Sequence, residues 1–282
     1  MSAVETLDAA WMRGHPLPDP GDTGKDGRGR VLVVGGQVEL AGAAMLAGVA
    51  ALRAGAGKLQ VAVAEGAVAA LSVALPEARV LALPQDGPEP SPGRWTHLAE
   101  QAGGCDALLV GPGMMDDAAG LAAALLQVPR DIVVDAGALR AMASAPRHPG
   151  RILTPNAGEM ARLLGLDRSR VEADPLAAGR QAAERFGAAV VMKGATTHVV
   201  LPDGRAGRYA GGGPGLGVSG SGDVLGGLIA GLLARGAGPF EAAAWGVFLH
   251  GEAGSRLASR IGKLGYLARE IADEAPSILT SF

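Results

Sequence analysis

The feature that most constrains this chain is a repeated unit: a short apolar run, a glycine-rich or polar turn, then a stretch of helix-forming residues. Val31-Leu32-Val33-Val34 runs into Gly35-Gly36 and then into a small-residue segment, Leu40 to Ala54, that stops at Gly55 and Gly57. Comparable runs recur at Leu59 to Val63, Val80 to Leu83, Ala107 to Val110, Ile132 to Val134, Ile152-Leu153 and Ala189 to Met192. Runs this short, bounded by glycine and polar turns, read as strands buried on both faces. Their alternation with helical stretches predicts a mostly parallel sheet with crossover helices, an α/β fold. After Met192 the period changes. Thr197 to Leu201 and Arg205 to Tyr209 flank Pro202-Asp203-Gly204 and read as an antiparallel hairpin, and the chain from Val224 onward reads as helical. The first two dozen residues are rich in Pro, Gly and Asp and are expected to wrap over the domain rather than enter the sheet. Pro84 to Pro92 reads as a solvated loop. No fixed-period repeat and no linker interrupts the pattern, so the expectation is one domain over residues 1–282, with 1–29 as an N-terminal arm.

Composition sharpens this picture. With 45 glycines, 48% hydrophobic residues and 3% aromatics, the core must be built from Ala, Val and Leu, with backbones packed close together. That suits helices lying on both faces of a sheet. A formal net charge of -3 gives no broad basic field, which argues against nucleic acid or an anionic membrane as a partner. No apolar run is long enough to span a bilayer and the first residues lack a signal-peptide pattern, so a cytoplasmic protein is expected. Cys105 is the only cysteine, which excludes an internal disulfide and a multi-cysteine metal site and leaves a buried, inert thiol. His15, His97, His148, His198 and His250 show no metal-ligand spacing and are read as surface or packing residues. Trp245 and Phe248, on a late helix, are read as core or subunit-contact residues.

Several strands end in turns that could meet a ligand: Gly35-Gly36, Gly111-Pro112-Gly113, Asp135-Ala136-Gly137 and Thr154-Pro155-Asn156. In an open parallel sheet the carboxyl ends of the strands line one crevice, so these turns are expected to share a rim. The strongest local signal is Pro214 to Asp223 (PGLGVSGSGD), which opens the apolar helix Val224 to Ala234. Glycines let backbone N–H groups converge on an anion, and the helix N-terminus adds partial positive charge without a lysine. The segment is neither GxxxxGK[ST] nor the GxGxxG fingerprint in its usual position. Asp223 reads either as a first-turn helix acid or as a base: a carboxylate kept beside an anion site is suited to deprotonating a hydroxyl that receives a phosphoryl group.

Beyond these local patterns, the sequence resembles a known family. The segments Val31 to Gly36, Ala41 to Val63, Leu109 to Gly113, Thr154 to Leu164 (TPNAGEMARLL), Met192 to Thr197 (MKGATT) and Gly220 to Gly227 (GSGDVLGG) are similar to those of the ADP-dependent NAD(P)H-hydrate dehydratases, within the ribokinase-like superfamily. The resemblance covers nearly the whole chain after residue 30 and implies a three-layer α/β sandwich, with no fused epimerase domain. It also implies ADP-dependent dehydration of the S-form of hydrated NADH or NADPH, with Mg2+. The terminal phosphoryl group of ADP would pass to the ring hydroxyl, and phosphate would then leave to restore NAD(P)H. By the family pattern Asp223 is the base and contacts the hydrated dinucleotide. Ala43, Gly113 and Asn156 also line that pocket. Lys193, Gly194, Ala195, Thr196 and Thr197, with Gly220, Ser221 and Gly222, hold the adenine nucleotide and its phosphates. A homo-oligomer, such as a homotetramer, is implied as well.

Two departures from the family pattern stand out. Asn156-Ala157-Gly158-Glu159 occupies the place of His-Pro-Gly-Glu, so a residue that hydrogen-bonds but does not titrate near neutrality replaces a histidine. Asn156-x-x-Glu159 is also similar to the NxxE motif of ribokinase-like kinases, where the glutamate organises magnesium through water; Glu159 serves either that role or that of a first-turn helix acid. Gly137 stands where the family tends to have a second aspartate, which leaves Asp135 as a substrate contact, a supporting residue or a helix cap. The alternative to the dehydratase is a ribokinase-like kinase of hydroxyethylthiazole, a pyridoxal-type vitamin or a carbohydrate, using the same cradle and Asp223. AGAAMLA and KGATT favour the dehydratase, whereas Asn156 leans toward the kinases. A non-catalytic nucleotide-binding module is a third reading, opposed by the carboxylate beside the cradle.

Overall fold

The computed structural model describes residues 3–19, 21, 23–83, 95–115 and 119–282. The expected Pro84 to Pro92 loop lies outside them. In chain order the elements are β1 (Val4–Thr6), α1 (Ala9–Gly14), β2 (Arg30–Val34), α2 (Ala41–Arg53), β3 (Lys58–Val63), α3 (Glu65–Ala74), β4 (Ala78–Ala82), α4 (Thr96–Gly103), β5 (Ala107–Val110), α5 (Ala119–Leu125) and β6 (Asp131–Val134). They continue with β7 (Arg151–Leu153), α6 (Ala157–Leu164), α7 (Arg168–Ala173), α8 (Pro175–Phe186), β8 (Ala189–Met192), the hairpin β9 (Thr196–Val200) and β10 (Ala206–Ala210), then α9 (Ser221–Ala234), α10 (Pro239–Arg260) and α11 (Ala268–Leu279). Short 3-10 segments run over Val38–Leu40, Ala136–Ala143 and Pro214–Gly217.

The strands form one sheet in the order β1-β10-β9-β8-β7-β6-β5-β2-β3-β4. All neighbours run parallel except β9, which is antiparallel to both β8 and β10. Alternate residues face opposite sides of the sheet, as the pleat requires. Val31 and Val33 join one core with α2, α9, α10 and α11, while Leu32 and Val34 join the other with α4, α5, α6 and α8. Both faces are therefore covered, and the expected three-layer arrangement with a mostly parallel sheet is observed.

One expectation for the N-terminal arm differs from the structure. Val4–Thr6 enters the sheet as an edge strand parallel to β10. Leu7 is buried, and Glu5 accepts hydrogen bonds from Trp11 Nε1 (2.6 Å) and from the Arg205 guanidinium (3.0 Å), whose other end reaches Glu241. A three-residue strand has little propensity signal of its own; side-chain anchoring to β10 and α10 sets its place.

The sheet order places the site. The chain leaves β2 for β3 and β4 on one side and returns to β5 on the other, so the carboxyl ends of β2 and β5 flank a topological switch point, where ligands of α/β sheets bind. The turns there are drawn together backbone to backbone. Gly36 N–H donates to the Pro112 carbonyl (2.7 Å) and Gln37 N–H to that of Gly113 (3.2 Å). A Cβ on Gly35 would lie 2.0 Å from the Pro112 oxygen, a distance no side chain tolerates.

The helix that begins with Ser221 is fixed by a similar close approach. A Cβ on Gly227 would fall 2.1 Å from the Ala47 carbonyl oxygen, and one on Gly231 2.4 Å from that of Ala51, so α9 and α2 touch along their backbones. Gly227→Ala gains helix propensity but forces this contact apart. We expect a net loss of about 2–3 kcal/mol together with displacement of the start of α9, as for an overpacked core. Gly120→Ala, at a helical position with open space around it, should instead gain about 0.5–1 kcal/mol. Denaturant unfolding of the two variants checks both signs.

Candidate active site

Five strand ends converge on the site: β2 at Gly35, β5 at Gly111, β6 at Asp135, β7 at Thr154 and β8 at Lys193. Gly111 has φ +132, and a Cβ there would sit 1.9 Å from the Asp135 carbonyl oxygen, so that position admits only glycine. Asp135 is buried at 3% exposure. Its Oδ1 accepts a hydrogen bond from Thr154 Oγ1 at 2.7 Å and another from Lys193 Nζ at 2.9 Å. The backbone just after it is strained: Ala136, at φ 46, is the only non-glycine with positive φ among the described residues, a conformation costing on the order of 1 kcal/mol.

Lys193 follows β8, its N–H bonded to the Pro155 carbonyl at 2.9 Å. Besides Asp135, its ammonium lies 3.8 Å from Glu159 Oε2. It also abuts the first turn of α9, since a Cβ on Gly222 would lie 3.4 Å from Nζ. Burial opposes the Lys193 charge, but Asp135 and then Glu159 outweigh it, and the ammonium is held above its ordinary value. For Asp223, burial first and then the Asp135 carboxylate push the acid up to about 6, against the pull of Lys193 and with a further push from Glu159. Three carboxylates thus surround one ammonium.

Gly220, at φ 90, turns the chain into α9. Ser221 N–H is taken by the Val218 carbonyl (3.2 Å), whereas the Gly222 and Asp223 amides make no backbone hydrogen bond, as is usual in the first turn of a helix. The loop is held from below by a residue that sequence reasoning left among packing histidines. His250 Nε2 lies 2.8 Å from Ser221 Oγ and 3.1 Å from the Ser221 carbonyl oxygen. Burial pushes this imidazole down to about 4, so it is neutral at physiological pH. It sits on α10, and no spacing in the sequence connects it to Ser221.

The other expected site residues divide into two groups. Ala43 and Gly113 meet at the switch point: a Cβ on Gly113, at φ +63, would lie 3.1 Å from that of Ala43. At the β8–β9 turn Gly194 and Ala195 are exposed, and Thr197 Oγ1 donates to the Gly194 carbonyl at 3.3 Å, with Thr196 opening β9. Asn156 and Glu159 form a capping box on α6. Glu159 N–H donates to Asn156 Oδ1 (2.9 Å), and Asn156 N–H donates to Glu159 Oε2 (2.8 Å). The first-turn reading of Glu159 is therefore met, and the same carboxylate also faces Lys193. Asp135, in contrast, makes no side-chain cap for the segment that follows it. Cys105 is buried as expected, and burial pushes its thiol up to about 11.

Among the described residues no group of three or more His, Cys, Asp or Glu side chains is arranged to hold a metal ion by itself. The donor set fits a magnesium ion that arrives with a nucleotide. Mg2+ keeps waters and needs only one or two carboxylates when phosphates supply the rest. No described helix is long and apolar enough to cross a membrane.

Residues 31–277 match the family model of NAD(P)H-hydrate dehydratase. The chain is 48% identical over 279 residues to the ADP-dependent (S)-NAD(P)H-hydrate dehydratase of Xanthomonas campestris pv. campestris, a match covering 98% of this chain and 96% of that protein. It is 39% identical over 290 residues to the bifunctional NAD(P)H-hydrate repair enzyme of Moorella thermoacetica, covering 97% of this chain and 53% of that enzyme, about half its length. The crystal structure of the ADP/ATP-dependent NAD(P)H-hydrate dehydratase from Bacillus subtilis, co-crystallised with ATP and Mg2+, is similar with a TM-score of 0.86 and 26% identity over 100% of this chain and 99% of that one.

A stability measurement probes the electrostatics independently of any reaction. Asp223 titrates at about 6 in the fold against 3.8 ordinarily, so its charged form is disfavoured by folding. The penalty, about 3 kcal/mol at full ionisation, is complete above about pH 6 and vanishes below about pH 4. Asp223→Asn should therefore raise the melting temperature by on the order of 5 °C at pH 8. That gap should close as pH falls from 6 toward 4.

Proposed function

The chain belongs to the NAD(P)H-hydrate dehydratase family, and from that premise we propose that it restores the S-form of hydrated NADH and NADPH at the expense of ADP. The observation that carries this reading is Asp223, a carboxyl raised to about 6 in the first turn of α9, beside the buried Lys193 ammonium. Hydroxide is a poor leaving group from the hydrated ring and phosphate a good one, so the hydroxyl must first be phosphorylated. Asp223 takes the proton as the hydroxyl oxygen attacks the terminal phosphorus of ADP, and the bond to the AMP oxygen breaks. The ring nitrogen then expels phosphate from the adjacent carbon, and loss of the neighbouring C–H proton restores the reduced ring. The products are NAD(P)H, AMP and phosphate, in balance with hydrated NAD(P)H and ADP.

The residues divide this work by position. Gly220, Ser221 and Gly222 present the start of α9 to the phosphates, with His250 fixing Ser221 from below. Lys193 supplies the positive charge at the same place, and the Gly194 to Thr197 turn borders the nucleotide. Ala43 and Gly113 keep the switch point shallow enough for the dinucleotide ring to reach Asp223, and Asn156 borders it from α6. Mg2+, held by the nucleotide phosphates and through water by Glu159, would supply the charge neutralisation that a site rich in carboxylates needs. The proposal extends to a homo-oligomer acting in the cytoplasm. Exposed Leu264 and Leu267 beside the start of α11 support assembly, and the free, buried Cys105 is compatible with a reducing compartment.

Incubated with hydrated NADH, Mg2+ and ADP, the protein should regenerate the absorbance of the reduced ring with matching release of AMP and phosphate. Absence of recovery with both ADP and ATP would overturn the proposal. Turnover should decline as pH falls through about 6, because protonated Asp223 cannot accept the hydroxyl proton. Asp223→Asn should lower turnover by at least about 100-fold while leaving ADP affinity equal or tighter, since a repelling charge is gone. Loss of ADP binding along with turnover would make Asp223 a structural residue.

A further inference from the structure

We infer that Asp135 is a positioning residue: anchored by Thr154, it holds the Lys193 ammonium against the start of α9, where the nucleotide's terminal phosphoryl group binds. The inference deepens the phosphoryl-transfer reading above and rests on it.

The geometry excludes the ordinary role for such a residue. An aspartate between a strand and a helical segment normally caps the segment. Asp135 makes no cap, and its Oδ1 instead takes Thr154 Oγ1 at 2.7 Å and Lys193 Nζ at 2.9 Å. Backbone constraint lies on both sides of it. Gly111 packs against its carbonyl with no room for a Cβ, and Ala136 adopts the one positive φ of a non-glycine among the described residues. The carboxylate is thus fixed before any ligand arrives.

What that fixation does follows from the alternatives open to Lys193. Glu159 stands at 3.8 Å, and Asp223 is close enough to act on the ammonium electrostatically. If Lys193 turned onto Asp223, it would occupy the carboxylate that must accept the hydroxyl proton. Asp135, at 2.9 Å, instead holds the ammonium at the first-turn backbone of Gly222. A buried carboxylate near a phosphate site is repulsive in itself. Its benefit to ADP preference therefore comes through the lysine, separate from its direct push on the Asp223 acid, and that gives the inference a sign to test.

The test uses Asp135→Asn, Lys193→Met and the two together, reading kcat on hydrated NADH, the melting temperature, and the dissociation constants of ADP and AMP by calorimetry. Asp135→Asn alone should lower kcat about 10- to 100-fold and reduce the preference for ADP over AMP roughly tenfold, with AMP affinity nearly unchanged. Lys193→Met should reduce both at least as far. In the Lys193→Met background, Asp135→Asn should cost no further ADP preference and should raise the melting temperature, because it removes a carboxylate left buried without its partner. Losses of ADP preference that multiply in the double variant, or an Asp135→Asn effect confined to melting temperature, would overturn the inference. Thr154→Val, which loosens the anchor and leaves every charge in place, should shift kcat and ADP preference in the same direction by less, and it carries the test if Asp135→Asn folds poorly. If the wild type turns over no hydrated NADH, the dehydratase reading fails while the ADP and AMP series still decides the role of Asp135.

Discussion

Contact between α2 and α9 at backbone distance is the constraint on which the rest of the structure depends. Gly227 and Gly231 lie against the carbonyls of Ala47 and Ala51, closer than any side chain would permit. The composition, rich in glycine and poor in aromatics, follows from this kind of packing: small residues let helices and strand ends approach until backbones touch. Because α9 cannot slide or lift without breaking that seam, its first turn has a fixed position over the ends of β2, β5 and β6. The first turn, with Gly222 beside Lys193 Nζ, is thereby fixed before any ligand arrives. Such preorganisation lets backbone dipoles stabilise developing charge without a reorganisation cost at the moment of reaction.

The second constraint is electrostatic. A buried lysine among three carboxylates is a poor source of stability, since the desolvation of buried charge offsets much of the attraction within it. Each charge nevertheless has a use when the site is considered with its ligands. In the proposed reaction Lys193 would complement phosphate, Asp223 a hydroxyl proton and Glu159 a hydrated cation, while Glu159 also caps α6. Asp135 is the member left without such a partner, and the positive-φ Ala136 follows it directly. The raised value of Asp223 belongs to the same balance. Burial and neighbouring carboxylates make it a stronger base than a solvated aspartate, and Lys193 keeps it ionised at neutral pH.

Much of this was legible in the sequence, and the reasons differ by element. The central strands stood out because they are apolar runs between glycines, and Ala107 to Val110 and Ala189 to Met192 appear with the expected bounds. The hairpin after Met192 was legible from its turn, Pro202-Asp203-Gly204. β1 was not, because Val4-Glu5-Thr6 is ordered by contacts with residues some 200 positions away, such as Arg205. Asp135 was ambiguous because an acid at a strand end suits a cap and a site equally well; only the hydrogen bonds to Thr154 and Lys193 separate the two. His250 carried no local signal, since it reaches Ser221 by helix packing between α9 and α10.

Asn156 shows how one residue satisfies a structural and a chemical demand together. Its Oδ1 is committed to the Glu159 amide, so what the side chain can still offer a ligand is the pair of N–H donors on Nδ2. A donor at this place suits the acceptor oxygens of a dinucleotide, and unlike a histidine it offers the same hydrogen bonds at every physiological pH. The substitution also strengthens α6 at its first turn, because asparagine is among the best N-caps. Helix α6 carries Glu159, and the capping box ties the Glu159 carboxylate to the Asn156 backbone on the side that faces Lys193. Replacing histidine with asparagine therefore removes a titrating group while tightening the support of a neighbouring carboxylate.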